Sequence, residues 1–264
     1  MSSSGGVAVD PYTLSGTYSG QSARNTDTAG LTRISPVLTG SAKVIICIGQ
    51  SNIASFVGNF GDTPYTPSNT LVQMFDISTG ALFNAVDTSM IGCNGPVGNV
   101  PIRIGDQLRT AGVARVILAN MAIGGTPVSA WAAGGVLNGD IAVMVKRLNA
   151  VGLTPTHIVW AQGEQDAILG TARATYAASL SSVISTFRNL GVTCPFLVTK
   201  STYQGGAINS TIQAAYTDVI DNVTVFAGAD TDTAINSGRI ANVHYTQAQA
   251  VTVAGLHVTA IQAH

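Results

Sequence analysis

"ICIGQSNIASF", residues 46–56, is the stretch on which the fold turns. An apolar run ends on Gly49, and Gln50, Ser51 and Asn52 follow at once. The run begins upstream: "KVIICI", residues 43–48, shows no polar alternation, as expected of a strand buried on both faces of a parallel sheet. Glycine at its end lets the backbone turn sharply or approach a neighbour closely. The serine beyond it fits two roles. It can cap a helix, or it can stand as a nucleophile at the mouth of the sheet.

Working outward, "LVQMF" (71–75), "ARVILANMA" (114–122), "THIVWAQ" (156–162) and "PFLVTK" (195–200) read as further strands, with "VTVFAG" (223–228) a short sixth. Helices fall between them. Ile141, Met144, Val145 and Leu148 form one apolar stripe. Residues 171–190 form the clearest helix, with Thr171 as its cap, Tyr176, Leu180, Val183, Ile184, Phe187 and Leu190 on one face, and Gly191 ending it. Ile208, Ile212, Ala215 and Val219 mark another, and Val251, Gly255, Val258 and Ile261 a last one after His244. Strands alternating with helices predict an α/β domain, a parallel sheet of about five strands with helices on both faces. The stretch 77–100, rich in Gly, Asn and Pro, reads as a long surface loop. Residues 1–40 show no sustained period and read as an N-terminal extension to a domain over 41–264.

Composition narrows the function. The 264 residues suit one such domain, and only 9% are charged against about a quarter in ordinary proteins. Net charge is −1 with no basic run, which argues against nucleic acid as partner. No apolar stretch approaches the roughly 20 residues that span a bilayer. The start, "MSSSGGVAVD", lacks the pattern of a signal peptide, while the Ser/Thr-rich, low-charge composition leans towards an exported or phage-associated protein. Cys47, Cys93 and Cys194 lack metal-type spacing, and Cys47 and Cys194 read as buried hydrophobes in or beside strands. Four histidines, scattered acids and no Cys/His pair argue against a metal, and no glycine-rich loop fits a dinucleotide or P-loop. No cofactor is expected.

Ligands of open parallel sheets bind at the carboxyl ends of the strands. Four polar stretches belong there: Gly49–Asn52, "AIGGTPVSAW" (122–131), "WAQGEQDA" (160–167) and "RIANVHYT" (239–246). Together they hold what ester hydrolysis needs. A serine hydroxyl requires a base, and histidine is the usual one near neutral pH. The oxyanion of the tetrahedral intermediate requires preplaced donors. Backbone N–H groups of Ser51 and of Gly124 or Gly125 suit that task, with an amide from Asn52 or Gln162 as a third. His157 begins a strand at the opposite edge, His257 lies within a helix and His264 is terminal, so His244 is the histidine placed to act. Trp131 and Trp160 read as core residues rather than sugar platforms.

The four stretches, "GQSN", "GGT…W", "QGE.DA" and a late "VH" before a helix, resemble the SGNH-type carbohydrate acetylesterases, the branch of sialate O-acetylesterases and plant-type acetylxylan esterases. The likeness runs from about 43 to 255. It implies a flavodoxin-like three-layer fold and metal-free removal of O-acetyl groups from a sugar through an acetyl-enzyme. Carried over, Ser51 is the nucleophile, His244 the base, Gly124 an oxyanion donor, and Gln162 and Glu164 pocket residues. One position departs: the family's Asp three residues before the histidine is Ala241 here. Glu164, Asp166, Asp230 and Asp232 are candidates to orient the imidazole instead; a backbone carbonyl serving a Ser-His dyad is a second reading, and a weakened site a third. Glu164 is favoured because its stretch should lie beside the first. The same residues fit two rival functions. One is a lipase or thioesterase on the same scaffold; the other is a carbohydrate-binding or structural module that has lost catalysis, which Ala241 favours.

Overall fold

The computed structural model describes residues 14, 18–35 and 42–264. The chain runs β1 (Arg33–Ile34), β2 (Lys43–Gly49), β3 (Val72–Phe75), β4 (Leu82–Asn84), α1 (Val100–Thr110), β5 (Val116–Asn120), α2 (Val128–Trp131) and α3 (Asn138–Ala150). It continues through β6 (His157–Ala161), α4 (Glu164–Leu169), α5 (Arg173–Asn189), β7 (Phe196–Lys200), α6 (Ser210–Val219), β8 (Val225–Asp230), α7 (Thr231–Ala234) and α8 (Gln247–Gln262).

All eight strands form one sheet in the order β1-β4-β3-β5-β2-β6-β7-β8. The six from β3 to β8 in that order are parallel, whereas β4 joins antiparallel to β3, and β1 antiparallel to β4. The expected five-strand core is therefore present, with extra strands at its edges. β1 and β4 escaped the sequence because strands of two and three residues carry no measurable period.

The lack of alternation in β2 has the expected cause. Val44, Ile46 and Ile48 enter one core with α3, α5 and α6, while Ile45 and Cys47 enter the opposite core with α1 and α8. Helices thus cover both faces, and a strand between two apolar layers needs hydrophobes at every position. Trp131 and Trp160 are fully buried in the first core.

Helix α5 buries Tyr176, Leu180, Val183 and Phe187, and Gly191 follows it at φ +81°. Its start differs from expectation. Ala172 is the N-cap without a side-chain bond, because the Thr171 hydroxyl donates to Asp166 Oδ1 at 2.7 Å instead. The loop expected over 77–100 contains β4 and runs into α1, which Asn99 caps through Ile102 N–H at 3.0 Å. The three cysteines are unbridged; Cys47 and Cys93 are buried and Cys194 is half-buried.

Part of the N-terminal extension falls outside the described residues, but 18–35 lie against the domain. Arg24 forms a buried ion pair with Asp140 at 2.6 Å and donates to the carbonyls of Gly92, at 2.7 Å, and Met121. Asn25 exchanges backbone hydrogen bonds with the 92–93 turn, donating to Cys93 O at 2.8 Å and accepting from Gly92 N–H at 3.0 Å.

Candidate active site

Strand β2 is the switch point of the sheet, with β5 on one side and β6 on the other. A crevice opens at such a point beyond the carboxyl ends of the strands. Gly49 ends β2 at φ +140°, and a Cβ there would lie 2.0 Å from the carbonyl oxygen of Ala161. Only glycine tolerates both that dihedral and that approach. Gln50 N–H donates to the same oxygen at 3.0 Å, and a turn over 51–55 follows rather than a helix. Ser51 is therefore no helix cap. Neither its hydroxyl nor its N–H makes a hydrogen bond among the described residues, and it lines an open cleft of about 190 Å³.

His244 lines the same cleft. A tight turn presents it: Ile240 and His244 exchange backbone hydrogen bonds at 2.8 and 3.0 Å, with Ala241 and Asn242 in the left-handed region. The His244 ring stacks on Phe56, centroids 5.3 Å apart, and its nitrogens make no hydrogen bond among the described residues. Burial and then the charge of Arg239 lower its pKa below the ordinary histidine value. The Arg239 guanidinium lies between the rings of Tyr203 and Tyr245, 4.7 Å from each centroid, and donates to Val243 O at 3.2 Å.

The glycine loop after β5 is tied to β2 through Ile123 N–H and Gly49 O at 3.1 Å. Gly124 packs directly on the serine: a Cβ there would lie 3.3 Å from Ser51 Cβ and 3.0 Å from Phe56 Cε2. Its N–H, expected to serve the oxyanion, donates to Asn94 Oδ1 at 2.8 Å. Asn94 in turn donates to the backbone oxygen and the hydroxyl of Ser22, each at 3.3 Å. The N–H of Gly125 makes no hydrogen bond among the described residues. Gly125 sits at φ +67°, and the Gln21 amide fills the space a side chain would take, 2.5 Å from an added Cβ.

The two side-chain amides expected at the oxyanion are engaged elsewhere. Asn52 Nδ2 donates to Glu164 Oε1 at 2.6 Å and to Val243 O at 3.2 Å. Gln162 Nε2 donates to Asp166 Oδ2 at 2.6 Å and Thr126 O at 3.0 Å, while its Oε1 accepts from Tyr176 at 2.7 Å. Gln162 is fully buried and supports the loops instead of facing the cleft.

Glu164, expected to orient His244, makes no hydrogen bond to it; the donors that its carboxylate meets are others. Oε1 accepts from Asn52 and, at 2.6 Å, from the Ser201 hydroxyl; Oε2 is buried without a partner. Burial above all pushes the Glu164 pKa up to about 7. The other candidate acids are likewise committed. Asp166 accepts from Val128 N–H at 2.8 Å, Asp230 caps α7, and Asp232 accepts from Thr202 and Tyr203 N–H at 2.7 and 2.9 Å. None of the four bonds to His244.

The cleft also holds residues that sequence reasoning passed over: Gln21, Gln50, Phe56, Gln165 and Gln204. Gln50 stood beside the serine in the decisive stretch, and its Oε1 accepts from Gln165 N–H at 3.0 Å. Gln21 and Gln204 carried no signal, since nothing in a sequence ties an isolated glutamine to a distant serine. Among the described residues no three His, Cys, Asp or Glu side chains gather as a metal site would require.

A family model described as carbohydrate esterase, sialic acid-specific acetylesterase, matches residues 95–262. That span holds Gly124, Gly125, Gln162, Glu164 and His244 and begins beyond Ser51. Among solved structures, the chain is similar to a protein from Arabidopsis thaliana at 17% identity and TM-score 0.66, covering 84% of this chain and 98% of that one. NanS is similar at 12% identity and TM-score 0.57, with 84% and 97% covered. XAC1771, a carbohydrate acetylesterase from Xanthomonas citri, is similar at 16% identity and TM-score 0.58, with 83% and 55% covered. At such identities the likeness is one of fold. No curated protein matches the chain. The matched span takes in well over half of the chain and three of the four rim stretches, and on it the chain belongs to the carbohydrate esterases of the sialic acid-specific acetylesterase family.

Proposed function

We propose that Ser51 and His244 are the nucleophile and the base with which this acetylesterase removes O-acetyl groups from a carbohydrate. One observation carries the assignment. Two residues 193 positions apart line one cleft at the switch point of the sheet, and Gly124 packs on the serine. Ser51 Oγ attacks the acetyl carbonyl and His244 takes its proton. The oxyanion is held by the N–H groups of Ser51 and Gly125, two backbone donors at the site left unengaged among the described residues. Collapse expels the sugar oxygen, which receives the proton from His244. Water then attacks acetyl-Ser51, again through His244, and acetate leaves.

Among the described residues no carboxylate bonds to the imidazole, so the pair works as a dyad. The Phe56 stack and the 240–244 turn fix the ring in place of an acid. Its lowered pKa keeps it neutral, and so able to accept a proton, at neutral pH. Glu164 acts at one remove. Through Asn52 it joins the residue after the nucleophile to the residue before the base. We further propose that residues 1–40 form an extension of the hydrolase domain 41–264, lending Gln21 to the cleft.

Ser51→Ala tests the core of this reading. Hydrolysis of p-nitrophenyl acetate should fall at least about a thousandfold with the unfolding midpoint unchanged. Retained activity in a folded variant would remove Ser51 from the mechanism.

A further inference from the structure

The side chains around Ser51 carry almost no charge. Gln21, Gln50, Gln165 and Gln204 supply the polar wall, and Phe56 and Ile168 the apolar one; among the described lining residues His244 is the single group that titrates near neutral pH. The amides of Gln21, Gln165 and Gln204 make no side-chain hydrogen bond among the described residues, so both ends of each are available to a ligand. Ile168 and Gln204 also line a second depression of about 260 Å³, with Ala207, Ile208 and Asn209, equally uncharged.

The chain has twelve lysines and arginines, and all twelve fall within the described residues. None lines either depression. Arg24 and Arg103 are buried against Asp140 and Asp87, and Lys200 pairs with Asp230 at 3.1 Å. The charge of Arg239 reaches His244, but the side chain is 6% exposed and donates to the carbonyls of Thr231, Ile235 and Val243.

This distribution bears on the substrate. A sugar acid brings a carboxylate, which must shed water on binding and recovers that loss most fully from a cation, whereas neutral amide donors return only part of it. A neutral sugar brings hydroxyls, each both donor and acceptor. A carboxamide offers both functions without charge. We infer that the cleft takes an uncharged O-acetylated sugar and discriminates against the carboxylate-bearing sugars for which the family is described. The inference rests on the proposal that Ser51 and His244 form the reacting centre.

Acetate release by the wild-type protein provides the test. The substrates are the methyl glycoside of 9-O-acetyl-N-acetylneuraminic acid, the same compound with its carboxylate as a methyl ester, and 6-O-acetylglucose. All three present a primary acetate, and the first two differ in the charge of one carboxyl group and the methyl that masks it. kcat/KM should be about tenfold or more higher for the methyl ester than for the free acid, and likewise for 6-O-acetylglucose. A free acid hydrolysed as well as or better than its methyl ester overturns the inference. p-Nitrophenyl acetate separates the two readings. If it is hydrolysed while the free acid is preferred, only the substrate class is wrong; if it is not hydrolysed, the esterase centre itself is wrong.

Discussion

At the scale of single residues, Glu164 departs furthest from expectation. It was placed to orient the imidazole, and it lies beneath the site, holding Asn52 and Ser201. Spacing in "QGE" puts the residue at the correct rim of the sheet but says nothing of which donor its carboxylate meets. Its pKa of about 7 in the folded protein, against an ordinary 4.5, has a consequence for stability. The folded state holds the proton more tightly than the unfolded chain. The resulting stability is complete below about pH 4.5 and is lost as pH rises through about 7. Glu164→Gln keeps an acceptor for Asn52 and Ser201 and removes the titration. Thermal unfolding of the variant beside the wild type should show its relative stability rising from pH 5 to pH 8 by about 1–3 kcal/mol. A difference independent of pH would mean that the carboxyl titrates normally.

At the scale of elements, the strands and long helices were legible because each repeats one signal many times. The β2 run and the α5 stripe are patterns of burial, and burial is what periodicity reports. The segment 18–25 has no such pattern, yet it completes the site. Gln21 covers Gly125, Ser22 holds Asn94, and Asn94 holds Gly124. The anchor of this segment is Arg24, driven between the 92 and 121 turns onto Asp140. Removing one partner of a buried pair leaves the other charge in a low dielectric. Arg24→Ala should cost about 3–5 kcal/mol in urea unfolding. A cost below about 1 kcal/mol would show that the segment is only loosely attached.

At the scale of the whole molecule, acid should be more damaging than the low charge content suggests. His157 and His257 are buried, and burial lowers both to about pKa 4. Depressed histidines stabilise fully above the unfolded value near 6.5 and lose that contribution as pH falls towards 4. His257→Leu should therefore narrow the fall in unfolding midpoint between pH 7 and pH 5, by the equivalent of about 1–2 kcal/mol. An unchanged fall would place the acid sensitivity elsewhere. The sequence by itself determined the α/β architecture, the glycine-terminated central strand and the four stretches at one rim, because these follow from periodicity and backbone sterics that act along the chain. Which side chains share the cleft was decided only by the tertiary structure. The diversion of Glu164, the engagement of Gly124 N–H and the arrival of Gln21 and Gln204 each depend on contacts between residues far apart in the chain, and hydrogen-bond geometry at that range leaves no periodic trace.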